Sequence, residues 1–223
     1  MKKGKFIVIE GTDGSGKTTQ TEALIRRFKK EGIPSESIRF PQYEKNLFGS
    51  LIRECLDGKH GDFISIDPKI ASVLYACDRF ETISKIKKWI DDGKVVIADR
   101  YSSSNQIHQG GKIKDERERA KFLDWLGAME YDTLGVLRPD AVIYLDVPYE
   151  ISLQLISNRV GVKDLADSNF DYLKNSKEAG KYMLTREKFW TRISCAPRGE
   201  LLSIEDISEL VWKKVSEVLK FKA

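Results

Sequence analysis

Residues 11–18 read GTDGSGKT and match the pattern G-x-x-x-x-G-K-[ST] at every position. Chemistry accounts for that spacing. Gly11, Gly14 and Gly16 permit backbone conformations that turn successive N–H groups inward, with Thr12 and Ser15 between them. Those N–H groups and the start of the following helix hold phosphate oxygens. Lys17 is placed to bridge β- and γ-phosphates, Thr18 to ligate Mg²⁺, and Thr19 to extend the contact with ATP. Asp13 is out of character in such a loop. A carboxylate aimed at phosphate would repel it. The residue is therefore either solvated or turned toward a second ligand, for which a sugar hydroxyl is a suitable partner.

A second group of candidates lies far away in the chain. FPQY (40–43) contains Phe40, Pro41 and Tyr43, and DRYSSSNQIHQGG (99–111) begins with Asp99 and Arg100. Asp99 can act on Mg²⁺ directly or through water. Arg100 can either bind an anionic oxygen through two N–H groups or close a structural ion pair. Ser104, Asn105, His108 and Gln109 add a hydroxyl, two amides and an imidazole, a set suited to a polar small molecule. Tyr75 and Arg79 are spaced i, i+4 and share one helical face. Either they stack on and hydrogen-bond a nucleobase, or they are a half-buried tyrosine and a salt-bridged arginine.

Some chemistry is excluded by what is missing. An alcohol acceptor would need a general base near it. An acceptor that is already a phosphate is anionic, so its site needs cations, and Lys17, Arg100 and Mg²⁺ fit that task by positioning and charge neutralisation. A polar, aperiodic stretch, 160–169, follows Arg159 and carries Lys163. A lid over about 158–172 would exclude water and add positive charge; the alternative is an ordinary surface loop. His60 and His108 are too far apart in the sequence to suggest a metal site, and no CxxC pair accompanies Cys55, Cys77 and Cys195.

Elements that would carry these residues can be read from periodicity. Short apolar runs predict strands at 5–10, 37–40, 94–101, 140–148 and 199–204. Amphipathic segments predict helices at 17–32, 46–58, 69–92, 115–131, 149–159, 170–191 and 205–220, with Asp67 and Pro68 opening the long one. The stretch 102–113 reads as loop. Strands apolar on both faces and alternating with helices predict a five-stranded parallel sheet covered on both sides, a three-layer P-loop NTPase fold with a short lid. Ligands bind such sheets at the strand carboxyl ends, so functional residues are expected just after 10, 40, 99 and 146. The 223 residues, 41% of them hydrophobic, suit one compact α/β domain over 1–223. A net charge of +4 with both signs interspersed gives no reason to expect nucleic acid. Neither a secretory leader nor a membrane span is expected, and the odd, scattered cysteines suit a cytoplasmic protein.

In order and spacing, EGTDGSGKTT, FPQY, YACDR, ADRYSSSNQIHQGG, RPDAVIYLDVP and SNFDYL resemble thymidylate kinases over nearly the whole chain. The resemblance implies transfer of a phosphoryl group from ATP to dTMP with Mg²⁺, by a homodimer whose helices pack side by side. By matching position it implies that Asp13 contacts the acceptor 3′-hydroxyl and that Phe40 and Pro41 shape the acceptor pocket, with Tyr43 near its phosphate. Tyr75 would stack on thymine, Arg79 would bond its edge, Asn105 would face it, and Arg100 would hold the acceptor phosphate. Gly14 replaces a loop arginine of one subgroup, which turns attention to Arg159 as the transferring cation. His108 stands for a tyrosine associated with deoxyribose selection, and Phe170 for a tyrosine of the sugar pocket. Two other classes are kept beside this one: a deoxynucleoside kinase or broader nucleoside monophosphate kinase, and a non-catalytic nucleotide binder. The [NT]KxD base-reading string of GTPases is absent.

Overall fold

The computed structural model describes residues 3–158 and 170–220. Five strands, β1 (Lys5–Glu10), β2 (Ser35–Arg39), β3 (Val95–Asp99), β4 (Ala141–Asp146) and β5 (Trp190–Ser194), form one sheet in the order β2-β3-β1-β4-β5. Every pairing is parallel, with Ile7 opposite both Ile97 and Ala141. The helices are α1 (Lys17–Lys30), α2 (Leu47–Leu56), α3 (Pro68–Asp91), α4 (Ser102–Gly111), α5 (Glu116–Gly127), α6 (Tyr149–Ser157), α7 (Phe170–Arg186) and α8 (Ile204–Leu219).

Strand alternation builds the core on both faces. Phe6, Val8, Val96, Ala98, Val142 and Tyr144 point to one side, into a cluster with Ile86, Ile107, Leu126 and Met183. Ile7, Ile9, Ile97, Ile143 and Ile193 point to the other, against Leu24 and Phe28 of α1 and Val211 and Val215 of α8. A smaller cluster under Tyr43 and Tyr75 joins Ile52, Leu56, Phe63 and Ala71. Asp67 caps α3 by accepting from the N–H groups of Lys69 and Ile70, with Pro68 in the first turn, as its sequence predicts.

Two segments differ from their sequence reading. The expected loop after Asp99 is helix α4, with all its residues but Ser104 buried. Its serines, asparagine and glycines look like turn formers, but tertiary packing overrides local preference. Small residues let α7 approach closely: a Cβ added at Gly111 would stand 2.9 Å from the Asn175 carbonyl oxygen. The fifth strand is Trp190–Ser194 rather than 199–204. Polar Thr191 and Arg192 interrupt its apolar pattern, which favours extending the preceding helix in a sequence reading. The apolar residues Leu201 and Leu202 have another use.

Candidate functional site

Two cavities open at the carboxyl ends of β1, β2 and β3. The first is built by the phosphate loop between β1 and α1. Gly14 and Gly16 adopt φ of 76° and 83°, a left-handed region that favours glycine. At Gly14 a side chain has no room, because its Cβ would lie 2.6 Å from the Ser152 carbonyl oxygen. Lys17 lies along the loop, its Nζ donating to the Gly11 and Thr12 carbonyl oxygens at 2.9 and 2.8 Å. Burial, then the Arg100 charge, brings its pKa down to about 8. Thr18 Oγ1 donates to Asp99 Oδ2 at 2.7 Å. The other carboxylate oxygen, Asp99 Oδ1, is buried without a hydrogen-bond partner. Leu155, Leu201, Leu202, Ile204 and Ile207 supply an apolar wall next to the loop. None of these five stood out in the sequence. The run LLSI was the available signal, and it reads equally well as a strand.

The second cavity lies under α3 and α4. Phe40, Pro41, Tyr43, Tyr75, Arg79, Ser104, Asn105, His108 and Gln109 line it, together with Asp13 and Arg100. Three separate stretches of sequence thus meet in one chamber. Phe170 does not line it: it is 62% exposed, and Tyr172, two residues on, occupies the wall, with its ring stacked on His108 at 5.5 Å. Arg159 and Lys163 lie outside the described residues, as does most of the expected lid. The residues just after Asp146 line neither of these two cavities. Asp146 is committed to Arg192 at 2.6 Å and Lys177 at 3.2 Å.

Arg79 resolves toward the ion-pair alternative without leaving the cavity wall. Its Nε and Nη2 donate to Glu130 at 2.8 and 2.5 Å, and both residues are buried. Asn105 Nδ2 also donates to Glu130 Oε1, at 3.0 Å. Burial opposes the arginine's charge, and Glu130 more than offsets it, so the Arg79 pKa is raised. Glu130 sits in a π-helical turn, Ala128–Thr133, that extends α5; such turns recur at functional sites. The sequence reading missed Glu130, although an acid among Met129, Tyr131 and Leu134 was a signal. Glu10 was missed as well. Its carboxylate accepts from Gly11 N, Ser103 Oγ and Ser104 Oγ, and so ties the phosphate loop to α4.

Asp13 and Arg100 line both cavities. The Arg100 Nη2 donates to Asp13 Oδ1 in a short ion pair. Arg100 adopts φ of 66°, uncommon for a residue with a side chain, and this turn at the end of β3 sends its guanidinium over the loop. Burial works against both charges. The pair overrides it, lowering the Asp13 pKa well below the carboxylate range and raising that of Arg100.

A phosphate loop facing a polar chamber, with a carboxylate–guanidinium pair between them, narrows the comparison with known proteins. A model of the thymidylate kinase family matches residues 9–200. The chain belongs to the thymidylate kinase family. A probable thymidylate kinase of Thermococcus onnurineus (strain NA1) is 36% identical over 222 residues, covering 96% of this chain and 99% of that one. The thymidylate kinase of Plasmodium falciparum (isolate 3D7) is 28% identical over 217 residues, covering 97% and 92%. A solved structure of thymidylate kinase from Candida albicans superposes with a TM-score of 0.76 at 21% identity, over 98% of this chain and 93% of that one. That likeness bears on the fold: the chain has the P-loop NTPase architecture its sequence predicts. Among the described residues no helix is long and apolar enough to cross a membrane.

Proposed function

We propose that the protein transfers the γ-phosphoryl group of ATP to dTMP, giving dTDP and ADP. The observation that carries this reading is the wall shared by the two cavities, where Asp13 and Arg100 face both. In it, the triphosphate lies on the phosphate loop with Lys17 on its β- and γ-oxygens, and adenine rests against the Leu155–Leu202–Ile204 wall. The thymine ring enters the other chamber, with Tyr75 against its face and Arg79 and Asn105 at its edge. Asp13 meets the sugar hydroxyl and Arg100 the acceptor phosphate. An anionic acceptor needs no base, so the work of the chain is to bring two anions together and exclude water. Arg159 is the candidate for the cation that the lid adds, with Lys163 as the alternative.

Thr18 and Asp99 fit Mg²⁺. Both offer hard oxygen ligands, and Asp99 Oδ1 is a buried acceptor without a partner. Among the described residues no group of three or more His, Cys, Asp or Glu could hold a metal alone. Kinase Mg²⁺ needs only one or two protein oxygens beside the substrate phosphates. When bound it would neutralise charge on the triphosphate. The protein acts as a cytoplasmic homodimer. Ile70, Val73 and Phe80 form an exposed apolar stripe on α3 with Cys77 between them, a face suited to a second copy of the helix. The test is a coupled ADP-release assay with a panel of nucleoside monophosphates and thymidine. Turnover that depends on dTMP is expected. Turnover with thymidine and none with dTMP would favour a deoxynucleoside kinase, and slow ATP hydrolysis indifferent to any acceptor would sink both readings.

A further inference from the structure

His108 makes contacts on both ring nitrogens, and together they fix its tautomer. Nε2 lies 3.2 Å from Arg100 Nη1. A guanidinium has five donors and no acceptor, so Arg100 donates and Nε2 carries the lone pair. The proton of the neutral ring is then on Nδ1, which lies 3.1 Å from Ser176 Oγ. Ser176 donates its own hydroxyl proton to the Tyr172 carbonyl oxygen at 2.7 Å, which leaves its lone pairs for His108. Every donor in this chain of three bonds finds an acceptor. Tyr172 stacks on the same imidazole with an interplanar angle of 16°. The Arg100 guanidinium is thus gripped from two sides, by Asp13 at Nη2 and by His108 at Nη1.

We propose that neutral, Nδ1-protonated His108 is a positioning residue. It orients Arg100 for the acceptor phosphate and draws its own orientation from Ser176 and Tyr172 of α7. The inference rests on the reading of Arg100 given above only for the identity of the acceptor. The tautomer does not depend on it. Burial keeps the ring neutral, and the charges facing it divide: Asp13 favours protonation while Arg100, Lys17 and Lys112 oppose it. A doubly protonated ring would present N–H to N–H at Arg100 and break the contact. Helices α4 and α7 can transmit the constraint because they pack at backbone distance, with Gly111 against Asn175. The sequence offers no hint of the link, since Ser176 lies 68 positions from His108.

Histidine ring nitrogens report protonation directly in long-range ¹H–¹⁵N correlation spectra. The full chain has two histidines, and His60 is half-exposed, so its signals serve as the solvent reference. At neutral pH the His108 ring is expected to show a protonated Nδ1 and an unprotonated Nε2. Ser176→Ala removes the acceptor for Nδ1–H. It should move the tautomer toward Nε2–H and lower kcat with dTMP about tenfold to a hundredfold. Affinity for a fluorescent ATP analogue should stay within about twofold. A residue that only supports the fold would not split the two in that way. His108→Gln keeps an amide oxygen for Arg100, whereas His108→Leu does not, so Gln should retain at least about tenfold more turnover than Leu. These two variants decide the matter if Ser176→Ala does not fold. A native ring protonated on Nε2, or on both nitrogens, would overturn the proposal. So would equal turnover in His108→Gln and His108→Leu. Absence of dTMP turnover in the unaltered protein, with the Nδ1–H tautomer intact, would instead count against the acceptor.

Discussion

Removing Glu130 tests whether Arg79 is poised for recognition by a buried partner. The carboxylate accepts from Arg79 Nε at 2.8 Å, Arg79 Nη2 at 2.5 Å and Asn105 Nδ2 at 3.0 Å. Arg79 is 2% exposed and Glu130 is fully buried. Glu130→Ala therefore strands a guanidinium with the Tyr101 carbonyl at 3.4 Å as its remaining observed acceptor. Breaking one side of a buried pair costs about 3–5 kcal/mol. For a chain of this size each kcal/mol lowers Tm by about 2–4 °C, so the midpoint should fall by about 6–20 °C. Urea unfolding followed by tryptophan fluorescence, extrapolated linearly, gives the same loss isothermally. The double variant Arg79→Met/Glu130→Leu replaces both charges with apolar volume, and most of the stability should return. Its dTMP affinity should not return, because Arg79 lines the acceptor chamber. A loss below about 1 kcal/mol in Glu130→Ala would refute the reasoning, given the exposed-pair range it would then match. A double variant no more stable than the single one would refute it as well.

Three further outcomes are expected. Arg100→Ala should lower kcat by about a hundredfold, the scale of losing one charge-stabilising donor, while ATP affinity changes far less; equal losses in both would contradict its acceptor role. Lys17 has a pKa lowered to about 8 by burial and by Arg100. Its positive charge is complete below that value and lost above it, so ATP affinity should weaken by up to about tenfold per unit above pH 8, and a flat affinity through about pH 9.5 would count against the assignment. His108, buried and lowered to about 3 from 6.5, binds no proton when folded but takes one up when unfolded in that interval. Stability should therefore fall as pH drops below 6.5, by about 1.4 kcal/mol per unit. In His108→Gln the slope between about pH 6 and pH 4 should shrink by that amount.

How much was legible in the sequence depended on how local each signal was. The phosphate loop is contiguous, and its glycines, lysine and threonine carry their own geometry. Strands β1, β3 and β4 are uninterrupted apolar runs, and the rule that ligands sit at strand carboxyl ends led to Phe40 and Arg100. Helix α4 was hidden because Ser102, Asn105 and Gly110 prefer turns in isolation, and only packing against α7 makes a polar helix worthwhile. Strand β5 was hidden because an edge strand can carry Arg192 outward. Glu130 pairs with Arg79 across 51 positions, and Ser176 meets His108 across 68. Neither link leaves a periodic trace. The shared wall is of the same kind: Asp13 looked anomalous in the sequence, but its meaning comes from Arg100, 87 positions away.

The central claim is that phosphate passes across that wall to a monophosphate. Incubating the protein with Mg²⁺, ATP labelled in the γ-phosphate, and equal amounts of dTMP and thymidine, then separating the products, follows the phosphorus itself. The label should appear in the β-position of dTDP, with little free phosphate and none in dTMP formed from thymidine. Label found chiefly in free phosphate, or in newly made dTMP, would contradict the account.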